Sequence, residues 1–346
     1  VFILIFQISM FTPVKEIKER EIVQKKIIFL LSFILDIFGV LLTPFVALIA
    51  SIQARLSATR LPLTYKIWDL FSATPIRYHY YEPIFNVFKL PEKIWEHPDP
   101  LHGIDLNVEA QLNLLNKFDY SSELNDIPVE KTEKDLDYFY NNYNFGAGDA
   151  EILYSVIRHF KPKKIVEIGS GFSTRLAKKA LDENRKTGFD SEHICIEPYE
   201  MPWLNQLETT KVIRSLVEDT DISIFKDLEE NDILFIDSSH VIRTGGDVVF
   251  EYLRILPILK KGVIVHIHDI FLPYEYPKHW IQLYRRFWTE QYLFQAFLTY
   301  NTNFKVLLSL NYLEKNHPNA FSQACPVYAN KHRKLPVSSF WIQRTV

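Results

Sequence analysis

Apolar and polar positions divide the chain into three stretches of different rhythm. The first holds Ile27–Ile52, 26 residues whose single charge is Asp36. The second, from Ala54 to about Asn125, mixes aromatic and proline-bearing segments such as Tyr78–Pro83 and Trp95–Pro100. It is too apolar for a flexible linker and reads as short helices and turns, with helical spacing in Leu112, Leu114 and Leu115. The largely polar Asp126–Asp135 is the best boundary. Beyond it, short apolar runs alternate with amphipathic ones. The runs Lys163–Ile168, His193–Glu197, Lys211–Val217, Asp232–Ile236, Gly262–Ile267, Phe304–Leu310 and Ser339–Ile342 predict strands. Ala150–Phe160, Ser173–Leu181, Gly245–Leu259 and Pro277–Tyr300 predict helices, the second capped by Ser173 or Thr174. The expected fold is α/β: a doubly wound, mostly parallel, seven-stranded Rossmann-like sheet behind an N-terminal membrane-associated helical segment. The expected divisions are 1–53, hydrophobic; 54–130, connecting and helical; and 131–346, the sheet domain.

About 20 apolar residues in a helix cross a bilayer, so residues 27–52 are a membrane-span candidate. Lys15, Lys18, Arg20, Lys25 and Lys26 precede the run, and Arg55, Arg60 and Lys66 follow it. That bias favours a cytoplasmic amino-terminal flank. A single span would then carry the sheet domain outside. Gly39 and Pro44 allow a re-entrant hairpin that returns the chain, which leaves the domain cytoplasmic. A buried pair of core helices is the soluble alternative. Val1–Phe11 is apolar but too short to span, and Met10 is an alternative start.

Composition narrows the class. A net charge of −3 gives no footprint for nucleic acid. Two cysteines, Cys195 and Cys325, make no disulfide framework and fit a reducing compartment. Cys195 falls inside a predicted strand and reads as packing.

Candidate chemistry gathers at the predicted strand ends. Ile165–Thr174 reads IVEIGSGFST: a strand, a turn with Gly169 and Gly171, then a helix start. Such a unit brings backbone N–H groups and a helix N-terminus to a nucleotide-like ligand. Glu197 ends the second strand, where a carboxylate can accept both ribose hydroxyls. Glu218 and Asp219 follow the third. Asp237 and Asp269 end the fourth and fifth, offering two hard oxygen ligands for Mg²⁺ or a similar cation. His268 adds a further ligand or an outer contact, and His240 suits a general base. A cation holding a substrate hydroxyl lowers its pKa, so this set can turn an alcohol into a nucleophile. Each has a plainer alternative: Asp237 as a turn cap, His268 and His266 as interior histidines. The aromatics Tyr138–Tyr143 read as packing, while Asn144 and Phe145 are possible ligand contacts.

These residues resemble the class I S-adenosylmethionine-dependent methyltransferases, and most of all the branch that includes the macrocin-type sugar O-methyltransferases. The resemblance rests on Val166–Thr174, Ile196-Glu197-Pro198, Phe235–His240 and His266–Pro273, and covers roughly Tyr138–Gln343. It implies that Glu167, Gly169 and Gly171, with Ser170 of the same turn, hold the methionine part of the cofactor. It further implies Glu197 on the ribose, Glu218 and Asp219 at the adenine edge, and Asp237 beside the cofactor. Asp237 and Asp269, with His268, would hold Mg²⁺, and His240 would deprotonate the acceptor. Two positions depart from the family pattern: Ser173 stands at the third glycine, and His268 where an acid often precedes the second metal aspartate.

The expected function is therefore S-adenosylmethionine-dependent, metal-assisted O-methylation of a sugar, glycolipid or other small molecule by a membrane-associated enzyme. A nicotinamide-dependent oxidoreductase would want G-x-G-x-x-G, and its last position is Thr174. No G-x-x-x-x-G-K-[ST] is present. The non-enzyme alternative is a membrane-attached scaffold with a degenerate cofactor fold, which has no need for Asp237, His240 and Asp269 together.

Overall fold

A computed structural model describes residues 14–199, 201–207, 210–330, 332 and 335–346, with side chains from residue 26 onward. The run Val1–Phe11 lies outside the described residues. The chain divides into two compact units, Val1–Asn86 and Val87–Val346.

In the first unit helical backbone covers Val14–Arg60 as two helices joined across a kink. It continues through Gly39 and Pro44, and its only non-helical backbone is at Ser57, with φ of 64°. The hairpin expected at Gly39 and Pro44 is therefore not formed. A proline costs one N–H bond and a kink, and the turns on either side carry the helix across it. Its apolar side chains, from Ile27 to Ile52, are largely exposed, so this is no buried core pair either. Residues Lys26–Arg60 form a helix long and apolar enough to cross a membrane. Pro62–Leu70 adds a short helix, with Trp68 donating through Nε1 to the Gln53 side chain at 2.9 Å.

The second unit is built on a seven-stranded sheet in the order β3-β2-β1-β4-β5-β7-β6. Its strands are β1 Lys164–Ile168, β2 Glu192–Ile196, β3 Thr210–Ile213, β4 Ile233–Ile236, β5 Ile264–Ile267, β6 Phe304–Ser309 and β7 Phe340–Arg344. β1 to β5 pair in parallel, and β7 runs antiparallel to both β5 and β6. Every residue of β4 and β5 is buried, as expected for strands covered on both faces. Ile165, Ile233 and Ile264 pack against the helix Asp149–Phe160 and its neighbours, while Val166, Leu234 and Val265 face Val248, Tyr252 and Phe294. Leu114, Leu115, Phe118, Leu124 and Ile127 join the first of these layers, so the end of the connecting stretch is part of the domain's core.

Three helix expectations change. The helix after β1 spans Phe172–Lys186 and is capped by Gly171, whose N–H donates to Thr174 Oγ1 at 3.0 Å; Ser173 and Thr174 lie in its first turn. The run after β4 starts at Asp247 and widens into a π turn over Glu251–Ile255 before Leu256–Ile258. The long helix expected over 277–300 is broken into Lys278–Gln282 and Glu290–Leu298. The break has a cause: the N–H groups of Thr289 and Glu290 both donate to the carbonyl of His240, at 2.9 and 3.1 Å. Those donors are unavailable for bonds back along a helix.

Candidate functional site

The site forms where β1 lies between β2 and β4, the point at which strand order reverses. The chain leaves β1 through Gly169, with φ of 80°. A Cβ there would lie 2.1 Å from the carbonyl oxygen of Asp237, so only glycine fits. Gly171 differs: a Cβ on it would meet nothing within 4 Å. Its openness is room above the turn. Ser170 donates its N–H to Glu197 Oε2 at 3.0 Å, and Tyr199 donates to Oε1 at 2.9 Å, so Glu197 joins the turn to the end of β2.

Glu167 is placed beneath this turn. Its carboxylate accepts from Ser173 Oγ at 2.6 Å, pairs with His193 Nε2 at 3.0 Å and accepts from Cys195 Sγ at 3.4 Å. It is buried, and its contacts tie β1 to β2 and to the following helix. Cys195 is wholly buried, and burial together with the Glu167 charge pushes its thiol well up. Glu218 and Asp219 lie in the turn Val217–Asp219 after β3. Asp219 is exposed, while Glu218 Oε2 is buried with no partner among the described residues, as is Ser170 Oγ. Buried polar atoms without partners call for an explanation, a bound water or polar ligand among them.

The structure brings Asp237, His240, His268 and Asp269 together. His240 Nε2 lies 3.3 Å from Asp237 Oδ1 and 3.7 Å from Asp269 Oδ2, and His268 Nε2 lies 3.7 Å from Asp269 Oδ1. His240 and Asp269 both hold left-handed backbone, φ 61° and 57°. Such strain outside glycine persists only where neighbours enforce it. At His240 the two N–H groups on its carbonyl do so. At Asp269, Ser338 Oγ donates to Oδ1 at 2.8 Å and the next residue, Ile270, donates its N–H to Ser338 O.

The electrostatics follow from burial and charge. Burial opposes ionisation of Asp237, yet the His268 charge and the hydrogen bond and charge of His240 outweigh it and hold the carboxyl at about 2. Burial likewise works against the His240 imidazolium, but bonds to Asp237 and Glu290 and the charges of Glu290 and Asp269 raise it well above the usual histidine range. His268 is raised as well: burial lowers it, and Asp269, Asp237 and Asp149 prevail. His266, stacked on Phe235 with centroids 3.9 Å apart and bonded to Ser339 Oγ at 2.9 Å, is pushed well down by burial and then by His268. It is an interior neutral ring.

Several members carry no sequence motif. Glu290, fully buried, pairs with His240 Nδ1 at 2.8 Å and accepts from Tyr252 OH at 3.0 Å. Asp149 accepts the N–H of Ser339 at 2.7 Å and lines the same cleft. Trp288 lies against His240 with ring centroids 4.4 Å apart. The one available signal for Glu290 was an acid set inside an aromatic, apolar stretch. The cleft, about 570 Å³, is floored by Asp237, His268 and Asp269 and walled by Trp280, Arg286 and Trp288.

The two carboxylates converging beside His240, one of them firmly anionic, fit a hard divalent cation. The open space at Gly171 and the orphaned Ser170 and Glu218 oxygens fit a polar nucleoside cofactor.

The profile of a methyltransferase domain matches residues 166–270, from β1 to just past Asp269. An uncharacterised protein of Archaeoglobus fulgidus is 38% identical over 165 residues, 44% of this chain and 73% of that protein. Among solved structures, the O-methyltransferase TomG of Streptomyces achromogenes, in complex with S-adenosylmethionine, is 13% identical with a TM-score of 0.33, covering 67% of this chain and 90% of that one. An O-methyltransferase of Bacillus cereus with S-adenosylhomocysteine is 11% identical with a TM-score of 0.33, covering 68% and 91%. Likeness of that degree says nothing about chemistry. The domain match spans the strands that build the cleft, and the chain carries a methyltransferase domain over residues 166–270.

Proposed function

We propose that this protein is a membrane-attached O-methyltransferase assisted by a divalent cation, acting on a hydroxyl of a sugar, glycolipid or similar small molecule. The observation that carries this reading is the convergence of Asp237, Asp269 and His240 beside the glycine turn, a set that neither a scaffold nor a hydride-transfer enzyme requires.

Glu197 is suited to the ribose hydroxyls, the N–H groups and open face of the Ser170-Gly171 turn to the amino-acid end, and Glu218 with Asp219 to the adenine edge. Bound S-adenosylmethionine would supply a methyl group activated by its sulfonium. Asp237 and Asp269, with His268 beside them, would hold a divalent cation, which would supply a Lewis acid to lower the pKa of the acceptor hydroxyl. His240 Nε2 is placed to take the proton of the acceptor hydroxyl, whose oxygen would receive the methyl group while the leaving electron pair stays with the cofactor's sulfur. Glu290 holds the other ring nitrogen. Alignment supplies much of the rate in such a displacement.

Attachment rests on the exposed apolar helix within Val14–Arg60. A single span with the catalytic unit in the cytoplasm puts the amino-terminal flank on the far side, against the charge bias of residues 15–26, and protease protection in oriented vesicles tests which side holds the unit.

The experiment for the activity is calorimetric titration of S-adenosylmethionine into the full chain in detergent, with and without Mg²⁺. Saturable binding, competed by S-adenosylhomocysteine and not by NADH, is expected, followed by transfer of labelled methyl to an acceptor panel. A folded protein that binds neither compound would return the scaffold reading.

A further inference from the structure

Arg286 stands apart from the charges that run the chemistry. It lines the same cleft as Asp237, His268 and Asp269. Its guanidinium carbon lies 4.2 Å from the ring centroid of Trp280, 4.5 Å from that of Trp288 and 5.6 Å from that of Tyr284. No carboxylate or carbonyl among the described residues accepts from its side chain. Trp280 and Trp288 are themselves packed edge to face, 5.3 Å between centroids, so the platform under the guanidinium is rigid. Trp280 also meets Phe271 edge to face, which anchors the platform to the core.

A cation resting on aromatic faces is held through the face of its π-system, and its N–H donors lie in its plane. Those donors remain available, and their fork matches two oxygens of one group. An arginine without an acid partner is unusual in a cleft whose floor carries Asp237 and Asp269 and whose side carries Asp149. A neutral acceptor would gain little from it. An anionic acceptor would be repelled by the floor and drawn to Arg286, which orients it hydroxyl-first toward His240. The local backbone agrees with a dedicated placement. Arg285 takes a left-handed φ of 57°, and the Arg286 N–H donates to Trp280 O at 3.0 Å. The break in the helix expected over 277–300 is what sets this residue against the two indoles.

We propose that Arg286, seated on Trp280 and Trp288, receives an oxyanion of the acceptor, so that the compound methylated carries a carboxylate or a phosphate besides its reacting hydroxyl. The inference rests on the methyl-transfer reading for the identity of the cleft. Its ligand chemistry is independent of the cofactor.

The test uses the full chain in detergent and saturation-transfer NMR titration with three matched probes: glucose, glucuronate and glucose 6-phosphate. The two anions are expected to bind about tenfold or more tighter than glucose, the scale of one charge-assisted hydrogen bond. The better of them tells carboxylate from phosphate. Arg286→Met keeps an apolar contact with the indoles and should erase the preference while leaving glucose binding and the melting temperature unchanged. Should that variant lose its fold, Arg286→Gln takes its place. Equal binding of all three probes, no binding of the anions, or a preference that survives removal of the guanidinium would overturn the proposal. S-adenosylhomocysteine calorimetry on the same samples reports separately on the methyl-transfer reading, so the two can fail apart.

Discussion

The Glu290 carboxylate meets Nδ1 of His240 at 2.8 Å across fifty positions of sequence, and a second oxygen of the same acid accepts from Tyr252. With Nδ1 engaged, Nε2 is the nitrogen left facing Asp237 and Asp269. Glu290→Gln removes the charge and keeps the shape. Turnover is expected to fall roughly ten- to hundredfold, the usual effect of losing a carboxylate behind a functional histidine. Because Glu290 raises His240, the basic form appears at lower pH in the variant, so the acid limb of the rate profile moves down. Cofactor affinity stays unchanged. An unshifted profile measured over pH 5–9 would reduce Glu290 to packing.

Asp237→Asn tests the cation. Turnover should be lost and its Mg²⁺ dependence with it, while calorimetry finds the cofactor bound within a few-fold of the parent. Full activity in the variant would remove the metal role.

Gly169 and Gly171 stand two residues apart and answer to different demands. Alanine at 169 meets the Asp237 carbonyl and a left-handed backbone, and should cost more than about 3 kcal/mol or prevent folding. Alanine at 171 enters open space at an extended backbone, φ −169°, so thermal unfolding should barely move. Cofactor affinity should instead weaken roughly tenfold, read by calorimetry. Unweakened binding would mean that the space above Gly171 is not part of the site.

Glu151 gives a pH dependence with a defined sign. It accepts N–H groups from Gly148, Val327 and Tyr328, yet burial outweighs these three bonds and raises its carboxyl to about 7. A carboxyl raised on folding adds stability that is complete below its unfolded value, about 4.5, and is lost as pH climbs through about 7. The loss is on the order of 3 kcal/mol. Urea unfolding of the parent and of Glu151→Gln between pH 4.5 and 8 should show their difference changing in that window. A constant difference would mean that Glu151 is ionised throughout.

The strands were legible because burial on both faces demands continuous apolar runs, and Ile233–Ile236 and Ile264–Ile267 have no other use. Asp237 and Asp269 were legible for the opposite reason, as acids placed where such runs stop. Glu290 and Asp149 were not, because each acts from a helix distant in sequence and its meaning depends on what packs against it. The helix drawn through 277–300 failed because Thr289 and Glu290 give their N–H groups to His240, a tertiary demand that no periodicity records. Gly39 and Pro44 misled in the other direction: both lower helix propensity, and the long apolar run carries the helix through them.

The sheet order has a consequence for synthesis. β6 is made before β7 but pairs with nothing else, because β7 lies between it and β5. On the ribosome the first five parallel strands can assemble as they emerge. Until Phe340–Arg344 enters the gap, β6 has no strand partner and is met only by earlier elements, Asn107 at Val306 and Gln111 at Ser309 among them. Over that interval Asp269 also lacks the Ser338 contacts that fix its backbone. Closure of the sheet and fixing of the Asp269 turn therefore both await the last strand.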